Sequence, residues 1–125
     1  MIQIDVFSRQ PVYEQIIEQI ERLILTGMLA PGEQVFSVRS LSVELSINPN
    51  TIQKAYGELT ARGILAAVPG RGCFVTEQAV TLLGSYKRRQ LEALTGQVRE
   101  WKMAGISLEE IQQCVADAYQ EEEKV

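Results

Sequence analysis

Residues 37–63 have the sequence SVRSLSVELSINPNTIQKAYGELTARG, which decides the predicted fold. Ser37 is a favourable N-cap for a first short helix, which ends before a Ser-Ile-Asn turn. Asn48 is a favourable N-cap for a second helix, and Pro49 suits its first position because the N–H that proline lacks would have no partner there. Gly63 ends this helix, whose apolar face comprises Ile52, Ala55, Tyr56 and Leu59. Two helices joined by so short a turn predict a helix-turn-helix.

Segments on both sides of this motif complete a small domain. Residues 11–26 predict an amphipathic helix that ends at Gly27 and has an apolar stripe of Val12, Ile16, Ile20, Leu23 and Ile24. Residues 64–76, ILAAVPGRGCFVT, contain two short apolar runs around a Pro-Gly-Arg-Gly turn, which predicts a β-hairpin. A hairpin in this place is a wing. We therefore predict an α+β fold in which residues 1–76 form a winged helix-turn-helix of three helices and a two-stranded wing.

The start of the second helix carries the polar side chains that a DNA-reading helix needs. In a helix-turn-helix, the N-terminus of this helix enters the major groove. The donors and acceptors at this end are Asn48, Asn50, Thr51, Gln53 and Lys54. In the wing, Gly70 allows close approach to a phosphate backbone or a minor groove, and Arg71 adds a positive charge there. These residues predict a sequence-specific DNA-binding surface.

Each of these residues also has a purely structural interpretation. Ser37 and Asn48 would serve only as helix caps, and Thr51 would only stabilise the first turn. Arg39 would form a surface ion pair with Glu44, which contributes little. The cations that would simply be solvated are Lys54, Arg62 and Arg71. The sequence alone leaves both interpretations open.

Residues 77–125 predict two further helices with apolar stripes. The first has a seam with heptad-like spacing, made of Leu91, Leu94, Val98 and Trp101. The second follows Gly105, starts with a capping box between Ser107 and Glu110, and has a stripe of Leu108, Ile111, Val115 and Tyr119. So small a block cannot bury a core by itself. We expect a dimerisation tail that packs against a second copy about a two-fold axis, and the alternative is packing against the N-terminal domain.

The charge distribution favours a local DNA contact rather than a general nucleic-acid coat. The chain has a net charge of −4, and residues 77–125 carry nine acidic and six basic residues. Residues 37–76 instead carry four basic and two acidic residues, a net of +2. A specific DNA binder needs such a local basic surface rather than a basic chain. The acidic run at residues 121–123 is expected to be solvated.

The residue types argue against several other functions. The chain has no histidine, and two distant cysteines, Cys73 and Cys114, cannot complete a four-ligand zinc site or an activated thiol nucleophile. No phosphate-binding glycine loop is present, so we expect neither an enzyme nor a cofactor. No apolar run reaches the length of a membrane span, and the first residues lack a signal-peptide pattern. We therefore expect a cytoplasmic protein without membrane association.

The region from Pro11 to Val75 resembles the DNA-binding domain of the GntR family of bacterial transcription regulators. The motifs that carry the resemblance, in matching order and spacing, are Pro11-Val12-Tyr13-Glu14-Gln15-Ile16, Gly27-Met28-Leu29-Ala30-Pro31-Gly32, Ser37-Val38-Arg39-Ser40-Leu41, Asn48-Pro49-Asn50-Thr51, Ala55-Tyr56, Leu59, Gly63 and Gly70-Arg71-Gly72-Cys73-Phe74-Val75. The Asn-Pro-Asn-Thr segment and the short two-helix tail resemble the YtrA-like subfamily.

The resemblance implies a homodimeric repressor that binds a palindromic operator, and it suggests a transporter operon as the regulated unit. It adds Arg39 as a contact to bases or backbone and Gly70 as the wing tip. Ser37 is a further candidate, as a cap that also contacts a phosphate. The sequence departs from the family at Phe36, where proline is usual, and at Pro49, where some branches place a base-reading arginine. Base reading must therefore shift to neighbouring side chains.

Two points of function stay open from the sequence. A small-molecule effector is possible but unidentified, and it would bind at the dimer interface or between the two blocks because the tail is too short for a pocket of its own. The alternative to a DNA-binding regulator is a winged-helix protein-interaction module without DNA binding. The overall acidity favours that module, whereas the polar helix start and Arg71 oppose it.

Overall fold

The computed structural model describes residues 2–121 and confirms an α+β fold with a winged helix-turn-helix. The elements in chain order are α1 (Val12–Leu25), α2 (Val38–Leu45), α3 (Pro49–Ala61), β1 (Leu65–Val68), β2 (Gly72–Val75), α4 (Ala79–Met103) and α5 (Leu108–Gln120). The helix-turn-helix is thus α2 and α3, and the wing is the β1–β2 hairpin.

Both helices of the helix-turn-helix begin at the predicted caps. The Ser37 hydroxyl oxygen accepts a hydrogen bond of 3.0 Å from the Ser40 N–H. The Asn48 side-chain oxygen accepts one of 2.8 Å from the Asn50 N–H. The turn between the helices is tight enough to require a left-handed backbone at Ser46, with φ of 55°. Local capping chemistry therefore sets the start of α3, the predicted DNA-reading helix.

The packing of α1 against α3 forms the centre of the first compact unit, residues 2–84. The largest fully buried side chains in this unit are Ile16, Ile20, Ile24, Leu41, Ile52, Leu59, Ile64, Leu65 and Leu83. Burying one such aliphatic side chain contributes about 1.5–3 kcal/mol. Because α3 buries one face in this core, its opposite face is left exposed to solvent.

The wing is a two-stranded antiparallel hairpin with Leu65 opposite Val75. Its turn places Gly70 in the left-handed region, with φ of 77°, which the missing Cβ allows. Residues 32–35 run along β2 and form three backbone hydrogen bonds of 2.8–2.9 Å with it. No local sequence signal predicts this pairing, which connects the wing to the segment before α2.

An ion pair between a buried carboxylate and a half-buried guanidinium group joins α1 to the end of α3. The Arg62 Nη2 atom donates to the Glu21 Oε2 atom over 2.7 Å, and Glu21 is only 4% exposed. The expectation that Arg62 is merely solvated is therefore wrong. Removing a carboxylate from water is costly unless a cation and hydrogen bonds compensate it, so the pair favours one placement of α3 on α1.

The second compact unit described, residues 85–121, contains the rest of α4 together with α5. The first unit extends beyond the predicted boundary at residue 76 because Ala79 and Leu83 of α4 are buried in its core. The division into a DNA-binding domain and a dimerisation tail stays a prediction. Residues 122–125, which include part of the acidic run expected to be solvated, lie outside the described residues.

Helix α5 starts with the predicted capping box. The Ser107 hydroxyl accepts from the Glu110 N–H over 3.1 Å, and the Glu110 carboxylate accepts from the Ser107 N–H over 3.0 Å. In the single chain, the side chains of the predicted dimer interface are exposed at Leu91, Leu94, Leu108, Val115 and Tyr119 and half-buried at Val98, Trp101 and Ile111. The second unit therefore presents apolar surface that its own helices leave uncovered.

We expect Arg62→Ala to lower the free energy of unfolding by about 3 kcal/mol, because the Glu21 carboxylate would stay buried without its cation. Chemical denaturation followed by circular dichroism measures this loss. Arg22→Ala removes an exposed arginine from α1 and is the matched control, with an expected loss below about 1 kcal/mol. Equal losses in the two variants would contradict the role assigned to the buried pair.

Candidate DNA-binding surface

The outward face of α3 combines polar and charged side chains with a glycine. Its exposed polar and charged side chains are Asn50, Gln53, Lys54 and Glu58, whereas Thr51 is half-buried. Gly57 lies in the middle of the same exposed face, and a Cβ built there would have no atom within 4 Å. The N-terminal half of α3 therefore presents two amides and a cation, groups that match base edges and phosphates.

The capping residues keep unused hydrogen-bond donors on this surface. Asn48 is exposed and uses its side-chain oxygen as the cap, and within residues 2–121 its amide N–H groups have no partner. The exposed Ser37 likewise uses its hydroxyl oxygen as an acceptor. A cap needs an acceptor, whereas a phosphate or a base acceptor needs a donor. The structural and the DNA-binding interpretations of these two residues are therefore compatible.

Arg39 is exposed in the first turn of α2. Within residues 2–121 it forms no ion pair, so the predicted alternative of a pair with Glu44 is not found. A guanidinium group offers a planar fork of donors that suits a phosphate or the O6 and N7 atoms of guanine. Arg39 therefore remains available for such a contact.

Lys54 is held by a contact that the sequence analysis missed. Its Nζ atom lies 3.9 Å from the centroid of the Tyr13 ring, a cation–π contact between α3 and α1. The Tyr13 hydroxyl in turn donates to the Glu14 carboxylate over 3.3 Å. Lys54 is thus exposed but not simply solvated. No local pattern indicates this contact, because its two residues lie on different helices and far apart in the chain.

The tip of the wing presents Arg71 next to Gly70, and both are exposed. An open cleft of about 340 Å³ lies beside the wing and is lined by Gln34, Val35, Phe36, Ser37, Val38, Tyr56, Gly70, Arg71, Gly72 and Cys73. The Gln34 side chain crosses to the wing and donates to the Arg71 carbonyl oxygen over 2.6 Å. No local sequence signal indicates this contact, because Gln34 is 37 residues away from its partner.

A tyrosine of α3 fixes the segment that leads into α2. The Tyr56 hydroxyl donates to the Phe36 carbonyl oxygen over 2.6 Å. Burial raises the pKa of Tyr56, so this hydroxyl keeps its proton and stays a donor at neutral pH. The bond connects α3 to the residue before the Ser37 cap, and it uses the backbone of Phe36, the residue that departs from the usual proline.

The cysteines and acidic residues give no sign of a metal site. Cys73 is half-buried in β2, and burial raises the pKa of its thiol, so the thiol is protonated at neutral pH. Cys114 is exposed on α5. Between Ile2 and Glu121, no group of three or more His, Cys, Asp or Glu side chains could hold a metal ion. None of the helices described is long and apolar enough to cross a membrane.

Helix α3 buries one face and exposes a polar N-terminal half, α2 carries an arginine without an ion-pair partner among the described residues, and the wing has an arginine at its tip. These features define a winged helix-turn-helix DNA-binding protein. The family described as "Bacterial regulatory proteins, gntR family" matches residues 12–75, and the chain belongs to this GntR family. It is a DNA-binding transcriptional regulator and not an enzyme.

Similar proteins cover both units of the chain. The transcriptional repressor YtrA of Bacillus subtilis is 40% identical over 118 residues, which are 94% of this chain and 91% of that protein. A GntR family regulator from Listeria monocytogenes is 34% identical with a TM-score of 0.74, over 91% of this chain and 98% of that one. The AraR DNA-binding domain in complex with operator ORX1 is 30% identical with a TM-score of 0.54, over 59% of this chain and 92% of that one.

Two substitutions of Asn48 separate its capping role from DNA binding. Asn48→Ala removes the cap and should lower the free energy of unfolding by about 1 kcal/mol. Asn48→Asp keeps the capping oxygen, so stability should be unchanged, but the added negative charge should weaken DNA binding about tenfold by repelling phosphates. Denaturation and fluorescence anisotropy, with a duplex selected from random sequences by the wild-type protein, measure the two effects.

The matched control for the added charge is Ser107→Asp, which makes the same kind of change at the N-cap of α5. We expect that variant to bind DNA like the wild type. Wild-type affinity in Asn48→Asp would show that the start of α3 does not face the phosphate backbone.

Proposed function

We propose that this regulator is a homodimeric repressor that binds a palindromic operator through α3 and the wing. The observation that carries the proposal is the exposed N-terminal half of α3, flanked by the exposed Arg39 and Arg71. The similarity to a protein named a repressor and to a domain seen on its operator supports the same function. As a protein that acts on chromosomal DNA, it would work in the cytoplasm.

Within this surface we assign different tasks to different side chains. Asn50 and Gln53 are the candidates for reading bases, because amide side chains pair with the N6 and N7 atoms of adenine. Arg39 would read guanine or bind a phosphate, and Pro49 has no N–H to offer. The remaining candidates, which would mostly bind the backbone, are Ser37, Asn48, Thr51, Lys54, Gly70 and Arg71. Backbone contacts set the register and usually outnumber base contacts.

Exposed apolar side chains in the second unit support the homodimer. Leu91 and Leu108 are each 63% exposed, and Tyr119 is 89% exposed. Leaving such side chains in water forgoes about 1.5–3 kcal/mol each, relative to full burial. A second copy offers the same surface, and a two-fold axis would match the symmetry of a palindromic site.

Charge is segregated along the second unit, and this also favours pairing with another copy. Residues 85–91 contain three basic and no acidic residues, Lys87, Arg88 and Arg89. Residues 108–121 contain four acidic and no basic residues, Glu109, Glu110, Asp117 and Glu121. Within the described residues, none of these side chains forms an ion pair. We infer that the basic segment of α4 in one copy, residues 85–91, attracts the acidic α5 of the other copy.

Our suggestions about the regulated genes and the effector rest on the resemblance alone. YtrA-like relatives suggest a transporter operon, and an effector, if present, would bind at the interface between copies. Sequencing the genomic fragments that the purified protein retains would identify the operator and the adjacent genes together.

We expect the protein to select a palindrome from random duplexes, with an affinity that falls steeply as salt increases. Arg39→Ala should weaken binding to the selected duplex at least about tenfold and leave the dimer folded. Mobility shifts across a salt series, with circular dichroism of the free protein, measure both properties. Arg22→Ala is the matched control and should bind like the wild type. Recovery of no sequence at low salt would favour the protein-interaction module.

A charge-swap pair tests the association between copies. One chain carries Lys87→Glu, Arg88→Glu and Arg89→Glu, and the other carries Glu109→Lys, Asp117→Lys and Glu121→Lys, which spares the capping box at Glu110. Each variant alone repels its own copies, whereas the mixture restores both complementary contacts. We therefore expect weaker dimers of each variant and a restored heterodimer in an equimolar mixture, measured by native mass spectrometry.

The outcomes of this experiment separate two claims. A wild-type protein that sediments as a monomer would contradict the homodimer. A wild-type dimer whose charge-swapped variants do not recover in the mixture would contradict only the attraction between α4 of one copy and α5 of the other.

A further inference from the structure

Gln34 reaches the wing from outside the hairpin. Its Nε2 atom donates to the Arg71 carbonyl oxygen over 2.6 Å, and its backbone forms a bridge with Phe74 of β2. Among the described residues, this side chain supplies the one hydrogen bond that connects the turn at residues 69–71 to another part of the chain. The turn's own bond runs from the Arg71 N–H to the Val68 carbonyl over 2.9 Å.

Gly72 provides the space that this hydrogen bond needs. A Cβ built on Gly72 would lie 2.8 Å from the Gln34 Nε2 atom, closer than real Cβ atoms approach. The backbone there also has φ of 111°, which side-chain-bearing residues rarely adopt. Both facts make glycine the residue that lets the Gln34 amide lie against the turn.

The turn of the wing gains support from such a contact, because a short hairpin is weak by itself and the backbone pairing of residues 32–35 reaches only β2. Each strand has four residues, and an isolated two-stranded hairpin is marginally stable in water. The side chain of Arg71 is exposed and its direction depends on where the turn is held. A bond to the carbonyl of the same residue fixes the turn without occupying the guanidinium group.

We propose that Gln34 is a positioning residue for DNA binding: its amide holds the wing turn so that the Arg71 side chain is set in place for the DNA backbone or minor groove. This inference rests on the DNA contact proposed above for Arg71. The competing explanations are that Gln34 contacts DNA directly, independently of the wing, and that it only stabilises the domain.

A double-mutant cycle on the full-length protein distinguishes these explanations. Gln34→Met keeps the length of the side chain but removes its N–H donors, and Arg71→Ala removes the cation. We expect each single variant to weaken binding to the selected duplex about tenfold. The double variant should bind no more weakly than Arg71→Ala alone, because Gln34 acts through Arg71. Gln120→Ala, an exposed glutamine at the end of α5, is the control and should change nothing.

Hydrogen exchange without DNA provides a second measurement that does not depend on operator binding. In Gln34→Met, amides of residues 70–74 should exchange faster, while those of α1 and α3 keep their protection and the unfolding midpoint stays unchanged. Exchange at wild-type rates in the wing would overturn the positioning role even if the protein binds DNA. Additive losses in the cycle would instead make Gln34 a direct contact, and a general loss of protection would make it a structural residue.

A wild-type protein that selects no duplex, or an Arg71→Ala variant with undiminished affinity, would contradict the proposed DNA contact. Gln34 could then still slow hydrogen exchange in the wing, but this effect would have no role in DNA binding. The two failures are therefore distinguishable.

Discussion

The packing of α1 against α3 is the interaction on which the proposed DNA-binding surface depends. Helix α3 has one apolar face, and burying it against α1 leaves its amides and its cation on the outside. The pair between Glu21 and Arg62 adds a directional contact at the end of α3. The Tyr13 ring under Lys54 adds another contact between the same two helices. Contacts within the domain thus fix the placement of α3 without the need for bound DNA.

Local chemistry explains why much of the fold was predictable. The starts of α2, α3 and α5 follow from Ser37, Asn48 and Ser107, whose caps act within three residues of themselves. Periodic apolar residues predicted the buried face of α3, and the Pro-Gly-Arg-Gly turn predicted the hairpin. These signals need no knowledge of distant parts of the chain.

The features that sequence analysis missed are long-range side-chain contacts. Arg62 finds Glu21 across 41 residues, and Gln34 finds Arg71 across 37. Their residue types are ordinary on a protein surface, so nothing in the local pattern separates them from solvated neighbours. Helix α4 likewise continues through the end of the first compact unit at residue 84 without a break in its helical pattern, so no local signal marks where that unit ends.

Gly57 gives the outward face of α3 an unoccupied position. Glycine inside a helix costs about 1 kcal/mol relative to alanine, and no neighbouring atom requires it here. Any side chain placed at this position would extend away from the protein without disturbing the core. Gly57→Ala would therefore strengthen the helix, and a longer side chain there would extend the surface proposed above to contact DNA. In evolutionary terms, a side chain can be gained at this position without loss of folding stability, which would let the proposed DNA-binding surface change its specificity.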